Sequence, residues 1–277
     1  MLKGVRIVST AINLPGPVAA HQLHQLGAEV VKVEPPSGDP LAAAAANYYG
    51  QLVAGQAVMT LDLKSSQGQR DWADLLKNTD LLLTSSRLHS LAKLGVEWSS
   101  LQAAHPRLCW VAIVGHPSPE DEQPGHDLTY QAESGLLLDT QKLPPTCWAD
   151  LIGAEQAVRA ALATLYGREK SGQGQYSEVA LSRALDLFAG PWRAGLTRMG
   201  GVLGGALPEY NLYPTRQGWL AVAALEGHFK ESIQKELAVE DWSYESLKNV
   251  FAGQTAREWE QWARARRLPL AAVKEVE

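Results

Sequence analysis

Proton transfer near neutral pH calls for histidine and carboxylate side chains, and covalent catalysis for an activated oxygen or sulfur nucleophile. Asp150 stands just ahead of an apolar helical run that begins near Ala154, where the positive end of a helix stabilises negative charge. Pattern alone reads it as the N-terminal cap of that helix. Histidine, with an unperturbed pKa of about 6.5, suits proton exchange at working pH. Taken by themselves, however, His126 in Gly125-His126-Asp127 reads as a loop histidine bonded to backbone, and Glu226 as a surface glutamate. His21 and His24 share a helix face without a third ligand nearby, so they read as a solvated pair and no metal is expected. Cys109 and Cys147 are too few for a disulfide framework and lack C-x-x-C spacing.

A dinucleotide fingerprint would need G-x-G-x-x-G between the first strand and helix, but Pro15-Gly16-Pro17 stands there, so no nicotinamide cofactor is expected. Neither a G-x-x-x-x-G-K-[ST] loop, a G-x-S-x-G elbow nor H-E-x-x-H occurs. Gly200, Gly201, Gly204 and Gly205 lie in a passage with no strand close before it and no helix directly after it, which suits a linker better than a phosphate cradle.

The elements that must position any site come from apolar periodicity. Val5 to Ser9 predicts a strand, Pro15-Gly16-Pro17 a turn, Val18 to Leu26 a helix, and Ala28 to Glu34 a parallel strand reached by a right-handed crossover. The alternation continues with strands at Val58 to Leu63, Leu81 to Thr84 and Leu108 to Val114, and helices at Gln67 to Lys77 and Leu88 to Leu94. A long helix over Ala154 to Tyr166, a strand over Tyr176 to Ala180 and a helix over Leu181 to Phe188 follow. Beyond the glycines, Trp219 to Ala223 predicts a strand, and the remainder reads as mainly helical and charged. The whole is an α/β chain: a Rossmann-like large domain with a parallel sheet over 1–190, a linker over 191–208 and a smaller α/β domain over 209–277. In such sheets the sites form beyond the carboxyl ends of the strands.

Composition limits the partners. The 25 basic and 30 acidic residues give a formal charge of −5 with no long run of either sign, so neither nucleic acid nor a membrane surface is expected. No signal-peptide pattern opens the sequence and no apolar stretch approaches the roughly 20 residues of a bilayer span, which makes the cytoplasm the expected location. With 9 Trp and 8 Tyr against 3 Phe, many buried rings carry an N–H or O–H that needs a partner.

The order of segments is itself specific. Leu2 to Val8, Pro15-Gly16-Pro17 and Leu26 to Glu34 resemble the opening of the family III CoA transferases, whose superfamily also contains α-methylacyl-CoA racemases. Gly38-Asp39-Pro40, Leu61-Asp62-Leu63-Lys64, Leu94-Gly95-Val96, Gly125-His126-Asp127, Ala149-Asp150, Lys170 to Gln175, Tyr210 to Tyr213, Gly218 to Val222 and Leu225-Glu226-x-x-Phe229 continue the resemblance in register. It implies a CoA-binding large domain, a smaller domain, and a homodimer of interlocked subunits with active sites between the large domain of one and the small domain of the other. It also implies an acyl-CoA substrate, with coenzyme A arriving as part of that substrate and no other cofactor.

The same resemblance makes Asp150 the catalytic carboxylate. With His126 it would exchange the proton at the α-carbon of a 2-methylacyl-CoA from opposite faces, and Glu226 of the neighbouring subunit would steady His126. The alternatives are CoA transfer with Asp150 as nucleophile, and an inactive acyl-CoA-binding homologue. Lys64 matches the lysine that closes the Leu-Asp-x-Lys block, and Arg87 and Lys93 occupy the basic region after the Leu81 to Leu83 strand, so these three are the expected CoA-binding cations. Three departures stand out: Pro35 follows Glu34 where a basic residue is common, Gly153-Ala154-Glu155-Gln156 reduces a glycine cluster, and the sequence stops soon after Val273 where relatives return to the large domain. That return segment being absent, apolar surface of the large domain is expected to be exposed or covered by a subunit contact.

Overall fold

A computed structural model describes residues 1–139 and 141–274, so the last three residues of the expected small domain lie outside the described residues. The chain divides into two compact units, Met1–Ala189 and Gly190–Glu277.

In the first unit, strands β1 (Arg6–Ser9), β2 (Glu29–Glu34), β3 (Ala57–Thr60), β4 (Leu81–Thr84), β5 (Cys109–Val114) and β6 (Tyr176–Ala180) form one sheet in the order β3-β2-β1-β4-β5-β6. Every pairing is parallel; Val8, for instance, lies opposite Val31 on one side and Leu82 on the other. This is the doubly wound order whose direction reverses between β1 and β4.

Alternation along the strands feeds two cores. Ile7, Leu81, Leu83, Val111 and Ile113 pack on one face with helices α1 (Pro15–Gln25) and α8 (Trp148–Ser171). Val8, Leu82, Trp110, Ala112 and Val114 pack on the other with α4 (Ser66–Leu76), α5 (Leu88–Ala92) and α6 (Trp98–Ala104). The short α2 (Pro40–Ala44) and α3 (Ala46–Val53) cross from β2 to β3, and α7 (Asp127–Ser134) precedes α8.

Several elements differ from their sequence expectation for definable reasons. Pro15-Gly16-Pro17 is the first turn of α1 and not a turn ahead of it, because proline at the first helical position gives up only an N–H that would be orphaned anyway. Gly16 is there for packing, since a Cβ on it would lie 2.5 Å from the carbonyl carbon of Ala11. The helix expected over Leu181 to Phe188 shrinks to a single 3-10 turn at Leu181–Arg183. Most important for the site, the long helix begins at Trp148 and not near Ala154, so Asp150 stands inside its first turn.

In the second unit, β7 (Tyr210–Pro214), β8 (Trp219–Ala223) and β9 (Leu270–Ala272) form an antiparallel sheet with helices α10 (Gly227–Leu237), α11 (Tyr244–Phe251) and α12 (Ala256–Arg266). The expected linker, 191–208, belongs by its contacts to this unit and holds the irregular turn Val202–Ala206, while α9 (Gly190–Arg193) stands at the unit's start. Strand β9, unexpected in a stretch read as helical and charged, pairs Leu270 with Val222 and buries Leu270 in the core of Tyr213, Phe251 and Trp259. Three of the buried polar rings find partners: Trp259 Nε1 donates to the Phe251 carbonyl at 2.8 Å, Tyr213 Oη to Pro208 at 2.6 Å, and in the first unit Trp110 Nε1 to Thr84 Oγ1 at 3.0 Å.

Candidate active site

A cavity of about 240 Å³ opens at the carboxyl ends of the parallel strands, where the sheet order reverses. Its walls come from the loops after β1 (Ile12, Asn13), β4 (Ser85, Arg87), β5 (Gly115 to His126) and β6 (Leu181), and from the first turns of α7 and α8. His126 and Asp150, 24 positions apart in sequence, both line it.

Their placement follows from how two helix starts are joined. His126 is the N-cap of α7, its backbone N–H donating to Thr129 Oγ1 at 3.0 Å and its carbonyl receiving the Thr129 N–H. Asp127, the next residue, turns back to α8: its Oδ1 accepts the backbone N–H groups of Ala149 at 2.8 Å and Asp150 at 3.1 Å, and its Oδ2 accepts Gln131 Nε2 at 2.5 Å. The cap of the long helix is therefore Asp127, reaching from α7. Asp150, read from pattern as a capping residue, makes no capping bond through its own carboxylate. That carboxylate is left free for chemistry.

Burial pushes the Asp150 carboxyl up, and the negative charge of Asp127 adds to it, raising its pKa to about 7 from the ordinary 3.8. The positive end of α8 works in the opposite direction but is already engaged by Asp127. Gly153, one turn on, lets the 3-10 turn after β6 close over α8, because a Cβ there would meet Leu181 Cδ2 at 2.2 Å.

Tyr130 forms the remaining wall. It is buried, packs edge-on to the ring of His116 at 5.4 Å between centroids, and has its own hydroxyl pushed up to about 12 by burial and by Asp150. Neither Tyr130 nor the helix-joining role of Asp127 is evident from the sequence. The available signal is the Gly-His-Asp start of an amphipathic segment with a tyrosine four residues after the histidine, on the same helix face.

A second cavity, of about 480 Å³, lies beyond the ends of β1 to β4 and shares Ile12 with the first. Leu61, Leu63, Leu91, Leu94, Pro35 and Pro36 make it apolar, and Lys64 stands on its wall. Arg87 lines the first cavity instead and is 4.0 Å from Glu122, while Lys93, exposed at the end of α5, borders neither. Glu226 is exposed at the head of α10 in the second unit.

The loops that frame both cavities are tied by a buried ion pair. Lys32 and Asp39 have side chains with 0% exposure and meet at 2.8 Å; Lys32 also donates to the Ala11 carbonyl, and Asp39 accepts the backbone N–H groups of Asn13 and Leu41 at 3.0 Å. The Gly38-Asp39-Pro40 block thus acts as a brace for the loop after β1, on which Ile12 and Asn13 face the site.

A doubly wound α/β sheet thus gathers a carboxylate and a histidine at its switch point. Residues 2–277 match the model of CoA-transferase family III, and the chain belongs to that family. It is 31% identical to the cinnamoyl-CoA:phenyllactate CoA-transferase of Clostridium sporogenes, over 65% of this chain and 49% of that one. It is 29% identical to the alpha-methylacyl-CoA racemase of Mus musculus, over 94% of this chain and 74% of that one. A crystal structure of the hypothetical protein Rv3272 from Mycobacterium tuberculosis shares the fold at 24% identity with a TM-score of 0.85, covering 99% of this chain and 85% of that one. The chain spans 48% to 64% of the length of four curated CoA-transferases it matches.

Proposed function

We propose that the chain acts on acyl-CoA thioesters and exchanges the proton at the α-carbon, as a 2-methylacyl-CoA racemase or epimerase. The observation that carries this reading is that His126 and Asp150 line one cavity, with Asp150 near the midpoint of its titration at neutral pH. One of the pair removes the α-proton, the bonding electrons pass into the thioester to give a planar enolate, and the other returns a proton to the opposite face. A carboxyl with a pKa of about 7 serves as base or acid with little energetic penalty in either direction.

Supporting the CoA part of the reading, the apolar second cavity suits a pantetheine arm, Lys64 suits a phosphate, and the shared Ile12 marks the passage to Asp150. Pro35 on its wall leaves it one cation poorer than the resemblance implies. Lys93, which lines neither cavity, is dropped from the proposed contacts, and Arg87 is retained beside the thioester end. The exposed Glu226 is available to a second copy, and the proposed assembly is a homodimer in which it steadies the partner's His126. Transfer of CoA between carboxylic acids is the second reading, favoured by the same unpaired carboxylate: Asp150 would attack the thioester carbonyl, expel the CoA thiolate and form a mixed anhydride.

Incubation with a 2-methylacyl-CoA in deuterated water tests the two. Folded wild-type protein is expected to place deuterium at the α-carbon, and Asp150→Asn and His126→Ala each to lose about 10²- to 10⁴-fold. No incorporation, with an acyl adduct trapped on Asp150 by hydroxylamine, would replace exchange by transfer.

A further inference from the structure

The least explained group at the site is the Tyr130 hydroxyl. Tyr130 is only 2% exposed, yet among the described residues no hydrogen-bond partner takes its hydroxyl, and the residue lines the cavity that holds His126 and Asp150. The ring is packed into the protein while the hydroxyl is claimed by no other side chain or backbone group among the described residues, so it is free to bond a group bound in that cavity. Room for it has been cleared on two sides. A Cβ on Gly115 would lie 2.6 Å from the hydroxyl oxygen, and a Cβ on Gly125 would lie 2.8 Å from the same oxygen and 2.4 Å from the ring. These glycines have ordinary negative φ or extended backbone, so their missing side chains serve the phenol and not a turn.

Resting on the acyl-CoA reading above, we infer that Tyr130 is a third catalytic residue, whose phenol donates a hydrogen bond to the thioester oxygen as negative charge develops there. The bond costs no covalent change: the phenol keeps its proton, the electron pair released from the α-carbon settles on the oxygen, and the O–H dipole stabilises it. Burial and the neighbouring carboxylate hold the hydroxyl protonated throughout the working pH range, so it acts as donor and never as base. His116, edge-on to the phenol and anchored through Nε2 to Glu133 at 3.1 Å, fixes the ring from behind. The same donor serves an enolate or a tetrahedral addition intermediate, since both place charge on that oxygen.

The test compares two CoA thioethers as probes, one carrying a nitroalkyl group ionised to its planar nitronate, which mimics the enolate, and one carrying the corresponding neutral alkyl group. Tyr130→Phe keeps the ring and its packing, and its unfolding midpoint is measured beside binding. The expected result is a loss of about 10- to 100-fold in affinity for the nitronate with the alkyl thioether bound as by wild type, because only the charged oxygen needs the donor. Equal losses for both probes, or no loss for the nitronate, would overturn the role of Tyr130 and leave the acyl-CoA reading standing. Failure of folded wild-type protein to bind either probe would overturn both together.

Discussion

Asp150 is a carboxylate held where its charge is disfavoured, and the consequences are legible in pH. It binds its proton more tightly folded than unfolded, because burial and Asp127 oppose ionisation only in the folded state. Above about pH 7 both states are ionised and the folded state bears the full penalty; as pH falls through 7 towards the ordinary carboxylate range the penalty fades. Asp150→Asn is therefore expected to stabilise the protein by roughly 1–3 kcal/mol at pH 8, after discounting for partial solvent screening, and by almost nothing near pH 4. Denaturant unfolding at the two pH values checks it, and equal effects at both would contradict the burial argument. In activity, the limb of kcat/KM that reports Asp150 should lie near pH 7, and Asp127→Asn, whose amide oxygen still accepts the two backbone N–H groups, should move it to lower pH. A limb unmoved by that substitution would remove Asp127 as a cause.

Among the elements, the brace between β2 and α2 carries the heaviest local stake. Lys32 and Asp39 are wholly buried and depend on each other, so Asp39→Ala strands an ammonium group in the interior and is expected to cost about 3–5 kcal/mol. Lys32→Met combined with Asp39→Asn should lose less than the sum of the single changes, because neither then leaves an unpaired charge. Guanidinium unfolding of the four proteins gives the cycle, and simple additivity would show the pair to be energetically independent. The joint of α7 to α8 is of the same kind: two helix starts meet through one carboxylate, and the histidine and aspartate of the site are one residue on one side and one hydrogen bond on the other from it.

At the largest scale, the first unit exposes apolar side chains beside α8. Leu143 is 79% exposed, and with Leu138, Trp148 and Phe188 it lines an apolar groove of about 590 Å³. A contiguous patch of this kind is uncommon on a monomer. In the proposed homodimer it is the natural contact, and Leu143→Asp is expected to weaken self-association by at least about tenfold in sedimentation velocity. A wild-type protein that sediments as a monomer at all concentrations would sink that assembly. Among the described residues no helix is long and apolar enough to cross a membrane.

Much of the scaffold was legible because burial on both faces leaves continuous apolar runs. Leu81 to Thr84, buried throughout, is a strand to the residue, as is the half-buried edge strand Tyr176 to Ala180, and the parallel crossovers follow from the alternation with helices. Less was legible where tertiary contacts override local pattern. Leu270 to Ala272 is a strand only because β8 offers it an edge, and the first turn of α8 extends back to Trp148 only because Asp127, 21 positions earlier, caps its free N–H groups. The residue types of the site were legible too, through a resemblance that named His126 and Asp150. Their meeting in one cavity, the freedom of the Asp150 carboxylate and the presence of Tyr130 on the same wall were not, since proximity and burial are properties of the packed chain. Local sequence determined which strands and helices this protein has and which side chains could do chemistry; only the close approach of α7 and α8 over the sheet's switch point decided which of them share a site, because that approach sets the burial and the neighbouring charge on which their proton affinities depend.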